Sequence, residues 1–230
     1  MKTDSQPKVG AIIVAAGSSQ RMGGVDKVWA LLGGKPIIVR VVDTFQQCSL
    51  IDQIVIVLSQ PNLEPCRKLI TEQGWSKVTD VCPGGERRQD SVSAGLSRLD
   101  NCRWVVIHDG ARPLLTEDLI RQGLAEVEAN GATVAAVPVT DTIKVTGDDQ
   151  IVQQTLPRHK LWAVQTPQVF RFDIIAEAHK RVKDEVTDDA AMVEQLGYRV
   201  KLYMGSYDNI KLTAPDDLVL AEALWQKRGK

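Results

Sequence analysis

The 230-residue sequence has few aromatic side chains, 5% of the chain, and those are scattered. They offer no stacking platform of the kind that holds single-stranded nucleic acid. An excess of one charge is also missing. Lys and Arg total 28 against 29 Asp and Glu, for a net charge of −1. No broad basic field is left for nucleic acid or a membrane surface, so an anionic ligand must be met by a local cluster of cations. The four cysteines, Cys48, Cys66, Cys82 and Cys102, form no CxxC. Their spacing suggests neither zinc nor a disulfide framework, and reads as small packed thiols in a reducing compartment. No apolar run approaches the roughly 18 to 20 residues that span a bilayer. Residues 1–7 are a polar tail rather than a signal peptide. The expectation is a soluble, cytoplasmic protein with neither nucleic acid nor membrane as partner.

What is present is an ordinary globular balance, 43% apolar and 25% charged, at a length that fits one α/β domain. Residues 9–15 (VGAIIVA) form a nearly unbroken apolar run with β-branched members, the pattern of a strand buried on both faces. Residues 53–58, 103–107 and 132–137 have the same character. Helical stretches separate them. Pro36 opens one, with Ile37, Val41 and Phe45 at helical spacing. A second covers 62–73, and a third follows Asp90 with Val92, Leu96 and Leu99. A fourth starts at Thr116-Glu117-Asp118, where a hydroxyl cap precedes acids suited to the helix dipole. This alternation predicts a mostly parallel sheet with right-handed crossovers. Ligands collect beyond the carboxyl ends of such strands, which singles out the loops after Ala15, Val81, Ile107 and Val137.

The pattern then breaks. Residues 142–145 and 151–155 are short extended pieces around the turn Gly147-Asp148-Asp149-Gln150, which predicts a hairpin projecting from the sheet. An isolated hairpin is marginally stable, so this one must pack on something, and a second copy of the chain is the economical choice. Helical patterns return at 173–183 and 188–196, followed by a strand at 198–203 and a closing helix at 215–226. The chain reads as a single domain, 1–230, with 139–161 as its projecting arm.

Four segments carry candidate chemistry. The first strand runs into Ala15-Ala16-Gly17, then Arg21 and Lys27. Small residues let the backbone approach a ligand, and exposed N–H groups in a tight loop cradle phosphate oxygens. Arg21 and Lys27 add charge where a triphosphate would sit. The loop is neither a Walker A motif nor GxGxxG. His108-Asp109-Gly110-Ala111-Arg112-Pro113 follows a buried strand. There Asp109 is placed to hold a divalent metal and Arg112 to fork onto a phosphate. His108 reads as a structural hydrogen-bonding residue. Gly84-Gly85-Glu86-Arg87-Arg88-Gln89-Asp90-Ser91 permits a sharp turn, with Glu86 and Ser91 able to read a base edge or Asp90 and Ser91 to cap a helix. Asp208-Asn209-Ile210-Lys211 again sets a carboxylate beside a lysine. Thr187-Asp188-Asp189 reads as a helix N-terminus whose acids are caps.

Together these motifs resemble the 2-C-methyl-D-erythritol 4-phosphate cytidylyltransferases of the non-mevalonate isoprenoid pathway. The likeness runs from about residue 9 to 226 through AAGSSQRMG with Lys27, GGERRQDSV, HDGARP, Asp141-Thr142-Ile143-Lys144, Gln165-Thr166-Pro167-Gln168, Thr187-Asp188-Asp189 and Asp208-Asn209-Ile210-Lys211. The resemblance implies a Rossmann-like nucleotidyltransferase sheet, a homodimer joined through the arm, CTP as donor and Mg²⁺ as metal. It implies that Ala15, Ala16, Gly17, Gly85, Glu86 and Ser91 hold the cytidine, while Arg21, Lys27 and Lys211 face the phosphates as catalytic cations. Asp109, Arg112, Thr142, Arg158 and Thr166 would gather the methylerythritol phosphate, with Asp109 the metal candidate. The chain departs from the family pattern at Asp26 and Val28, around Lys27, and at Gly110. Two alternatives stand beside this reading: a cytidylyltransferase for ribitol 5-phosphate or another polyol phosphate, and a catalytically silent nucleotide-binding module.

Overall fold

The computed structural model describes residues 8–17 and 27–228. In chain order, β1 (Lys8–Ala15) is followed by the ribbon β2 (Leu31–Leu32) and β3 (Lys35–Pro36), then α1 (Ile37–Gln47) and β4 (Gln53–Leu58). Next come α2 (Leu63–Gln73), β5 (Val78–Pro83), α3 (Arg88–Leu96), β6 (Cys102–Asp109), α4 (Glu117–Asn130) and β7 (Ala132–Pro138). The arm supplies β8 (Lys144–Thr146) and β9 (Val152–Thr155). The chain then forms β10 (Trp162–Arg171), α5 (Phe172–Arg181), α6 (Asp189–Gln195), β11 (Lys201–Met204) and α7 (Pro215–Arg228).

Seven strands make one sheet in the order β11-β7-β10-β6-β1-β4-β5. The continuous apolar runs have the burial they predict, and every residue of β4 is buried. Helices cover both faces. On one, Val42 and Phe45 of α1, Leu63 and Cys66 of α2 and Ile120 and Val127 of α4 pack on Ala11, Ile13 and Ile56. On the other, Val92 of α3, Ile175 of α5 and Val193 of α6 pack on Ile12, Val55 and Ile107. A smaller cluster of Leu32, Ile37, Leu114, Leu212 and Ala221 seats α7 beside the β2–β3 ribbon. Thr116 caps α4 as read, its Oγ1 accepting from Leu119 N, and Gly131, at φ +76°, closes the helix in the left-handed region that favours glycine.

Three expectations need correction. The apolar pattern predicts no strand at 162–171, yet β10 is the longest strand and lies between β6 and β7, antiparallel to both. Its buried stretch carries Gln165, Thr166, Pro167 and Gln168, so the apolar run that marks an interior strand is absent. The third helix ends at Leu96, short of Leu99, and the last strand starts at Lys201 rather than Tyr198.

The arm is the long return from β7 to β10, rooted by Val139 N donating to Leu161 O and by the pairing of Pro138 with Trp162. Its strands pair antiparallel, Val145 opposite Gln154, around the predicted turn. Ile151 is 66% exposed and Val152 53%. All four cysteines are free thiols, three of them buried.

Candidate active site

Because β6, β1, β4 and β5 are sheet neighbours, the loops at their carboxyl ends meet. The loop after β1 (Ala15, Ala16, Gly17) and the loop after β5 (Gly85, Glu86) frame a cleft of about 390 Å³, with Lys27 and Lys211 on its wall. That volume suits a small-molecule ligand. Gly84 allows the two loops to approach: a Cβ there would lie 2.3 Å from Ala16 Cβ and 2.6 Å from Ser91 Oγ. Ser91, 2% exposed, turns its hydroxyl to the loop, accepting from Gly85 N at 3.2 Å. Asp90 caps α3 by accepting from Arg87 N at 3.1 Å. Glu86 stays exposed on the cleft wall.

Asp109, at the end of β6, is 7% exposed. Arg88 Nε donates to its Oδ1 at 3.0 Å and Lys211 Nζ reaches its Oδ2 at 2.7 Å. Burial alone would raise this carboxyl, but Arg88, Lys211 and Arg112 together hold it well below the usual carboxylate range. Lys211 thus pairs across the fold with Asp109 rather than with its sequence neighbour Asp208. Arg112, also buried, donates Nη1 to Asn209 O at 2.7 Å, and its Nε meets no partner among the described residues. Asn209 in turn donates Nδ2 to Thr166 O.

His108 is fully buried and has the structural role expected of it. Its Nε2 lies 3.1 Å from Arg112 O, a carbonyl that can only accept, so Nε2 carries the proton. Burial pushes the imidazole down to about 4 and keeps it neutral, so Nδ1 accepts from Thr166 Oγ1 at 3.0 Å. Thr166 Oγ1 also receives Asp109 N at 3.0 Å. His108 and Thr166 therefore lock the backbone that aims Asp109 and Arg112. Thr166 precedes a cis peptide bond to Pro167, in the stretch where β10 slips register against β7.

A second cleft of about 400 Å³ lies across Asp109 from the first. Arg112, Thr166, Gln168 and Asp188 are among the residues that line it, and Arg88, Asp109 and Lys211 line both clefts. The expected site residues that are described thus fall in three groups. Ala15, Ala16, Gly17, Lys27, Gly85, Glu86, Ser91, Asp109 and Lys211 line the first cleft, and Arg112 and Thr166 line the second. Thr142 and Arg158 stand exposed on the arm, away from both, with Arg158 donating to Thr140 O. Arg21, like Asp26, lies outside the described residues.

Two residues with no part predicted in the chemistry belong to this cluster. Arg88 bridges Asp109 and Asp189, reaching Asp189 Oδ2 at 2.6 Å. Asp189 corrects the capping expectation. Asp188 caps α6 by accepting from Ala191 N, whereas Asp189 is buried against Arg88 and His179. The metal expectation also meets a constraint. Both Asp109 oxygens are engaged, and no three His, Cys, Asp or Glu side chains cluster to hold a metal among the described residues. A lone carboxylate still suits Mg²⁺, which keeps waters and is bound through one or two carboxylates plus substrate phosphates.

The sheet with helices on both faces and adjoining clefts at its carboxyl ends belongs to a known class: the chain is a nucleotidyltransferase of Rossmann-like α/β architecture. The family model for 2-C-methyl-D-erythritol 4-phosphate cytidylyltransferase matches residues 9–227, and the chain belongs to that family. The cytidylyltransferase of that name from Dehalococcoides mccartyi is 53% identical over 220 residues, 96% of this chain and 97% of that protein. The one from Alkaliphilus oremlandii is 43% identical, with 96% of each chain covered. Among solved structures, the 4-diphosphocytidyl-2C-methyl-D-erythritol synthase of Anaerococcus prevotii superposes with a TM-score of 0.86 at 31% identity, covering 96% of both chains. No helix among the described residues is long and apolar enough to cross a membrane.

Proposed function

We propose that this chain transfers CMP from CTP to 2-C-methyl-D-erythritol 4-phosphate, giving 4-CDP-2-C-methyl-D-erythritol and pyrophosphate. The observation that carries the reading is the wall of Arg88, Asp109 and Lys211 shared by the two clefts. It separates a cleft floored by the small-residue loop, which suits the nucleotide, from one lined by Arg112 and Thr166, which suits the acceptor phosphate. In the transfer, an acceptor phosphate oxygen forms a bond to the α-phosphorus of CTP in line with the bond to the β-phosphate oxygen. That bond breaks, and pyrophosphate leaves with its electron pair. The acceptor monoester is already anionic near neutral pH, so no general base is needed. What the reaction needs is fixed positive charge around two polyanions, supplied by positioning and electrostatics.

Lys27 and Arg21 serve the α-phosphate, and Lys211 supports the transferring group from the shared wall. Ala15, Ala16, Gly17, Gly85 and Glu86 hold the cytidine, with Ser91 fixing Gly85 from behind. Asp109 orients Lys211 and is the carboxylate that would help hold a divalent metal, which we take as Mg²⁺ and which would neutralise developing phosphate charge. We further propose a single cytoplasmic domain that pairs through arm 139–161, with Thr142 and Arg158 meeting the acceptor across that pairing. Pyrophosphate release with CTP and each acceptor tests the reading. Release with the methylerythritol phosphate and not with ribitol 5-phosphate supports it. The reverse preference assigns the ribitol reaction, and CTP binding with no release for any acceptor assigns a silent module.

A further inference from the structure

Asp189 lies behind the active-site wall. It is 1% exposed and lines neither cleft. Helix capping does not explain it, because Asp188 already caps α6. One of its oxygens accepts from Arg88 Nη1 at 2.6 Å and the other faces His179 Nε2 at 3.3 Å. Through Arg88 the charges alternate without a gap, from Asp189 to Arg88 to Asp109 to Lys211. We propose that Asp189 is a positioning residue for nucleotidyl transfer: by anchoring Arg88 from behind, it fixes the Asp109–Lys211 pair on the boundary between the two clefts.

Guanidinium geometry makes the arrangement specific. An arginine beside one carboxylate tends to close its planar fork on it with two parallel N–H bonds. Such a grip on Asp109 would compete with Lys211 for Oδ2. No such grip forms here: Arg88 reaches Asp109 through Nε alone, on Oδ1, while Nη1 is anchored on Asp189 and Oδ2 is left to the lysine. Nη2, the nitrogen that would complete a fork with Nε, meets no partner among the described residues, so the fork on Asp109 stays open while Nη1 is held from behind. Stability alone is a weak reason to keep such a pair, since buried ion pairs are often replaceable by apolar residues without loss.

This inference rests on the transferase reading, and the same assay separates the two. Asp189→Asn and Arg88→Lys are compared with the parent by steady-state pyrophosphate release, with folding checked by circular dichroism and thermal melting. A lysine keeps the charge of Arg88 and cannot span two carboxylates. Both variants are expected to lose about tenfold to hundredfold in kcat while the KM for CTP stays within about threefold. His179→Gln removes the other partner of Asp189 without touching Arg88, and is expected to keep kcat within about twofold even where it lowers the melting temperature. Folded variants with parental kcat, or a kcat loss shared equally by His179→Gln, overturn the proposal. If Asp189→Asn does not fold, Arg88→Lys decides on the same two constants. A parent that releases no pyrophosphate with any acceptor overturns the function reading and this inference with it.

Discussion

At the scale of single residues, the site is a set of charges held in place by one another, through Arg88 and Asp189, and by the uncharged His108 and Thr166. Lys27 lines the nucleotide cleft. Loss of a comparable preorganised group costs on the order of 10²–10³ in rate. Lys27→Ala is therefore expected to reduce kcat by at least about a hundredfold with an unchanged circular dichroism spectrum. Near-normal turnover would reject its role. His108 gives a prediction of a different kind. Its imidazole is held at about 4 in the fold against 6.5 for an unburied one. Between those values the unfolded chain binds a proton that the folded chain does not, so stability must fall as pH drops through this window. The loss amounts to about 2 kcal/mol by roughly pH 5. Asp109 and Asp189, both depressed, keep their contribution until the pH falls below the ordinary carboxylate value of 3.8 and lose it only there. Urea midpoints measured from neutral pH down to about pH 5 should show the slope, and His108→Gln should flatten it. A variant with the parental slope would contradict the assignment.

Most of these residues could be read from the chain because each sits directly after an apolar strand. The small loop after β1 and Asp109 after β6 are legible for that reason. Arg88 and Asp189 are not, since their partnership spans 101 positions in sequence and each looks locally like a helix-terminus residue. Lys211 was readable as a charge and not as a partner of Asp109, because nothing in Asp208-Asn209-Ile210-Lys211 specifies which carboxylate it meets.

At the scale of elements, alternating strands and helices announce the half of the fold up to β7, where the strands β1, β4, β6 and β7 each carry a continuous apolar run. The second half hid its main strand. β10 pairs on both sides yet spends buried positions on Gln165, Thr166 and Gln168, which serve the site rather than the core. Function thus erased the pattern by which an interior strand is recognised. The contact between the loops after β1 and β5 yields a test. A methyl group at position 84 would press on Ala16 and Ser91. Gly84→Ala should part the loops and raise the KM for CTP about tenfold, with kcat less affected. An unchanged KM would show that the loops do not hold the nucleotide.

At the scale of the whole molecule, near-zero net charge means that the cations around Asp109 form a local field on a balanced surface. The arm is the other feature at this scale. Its strands have little of the chain's core beneath them and expose Val145, Ile151 and Val152. If a second copy covers them, sedimentation should give a dimer for the parent and a monomer for Ile151→Asp combined with Val152→Asp. A parent that sediments as a monomer would refute the pairing.

The reversal of β10 also governs how the arm can change length. The chain leaves β7 and enters β10 beside it, Pro138 against Trp162, so the root of the arm sets the frame in which β10 is laid down. Extra residues at the Gly147–Gln150 tip would be absorbed outside the sheet. Loss of a single residue at the root would slide β10 by one position and exchange its two faces. Thr166 would then turn from His108, and Gln168 from Asp188, which it now reaches at 2.8 Å. Changes of length in this arm are therefore expected to be tolerated at its far end and not at its root.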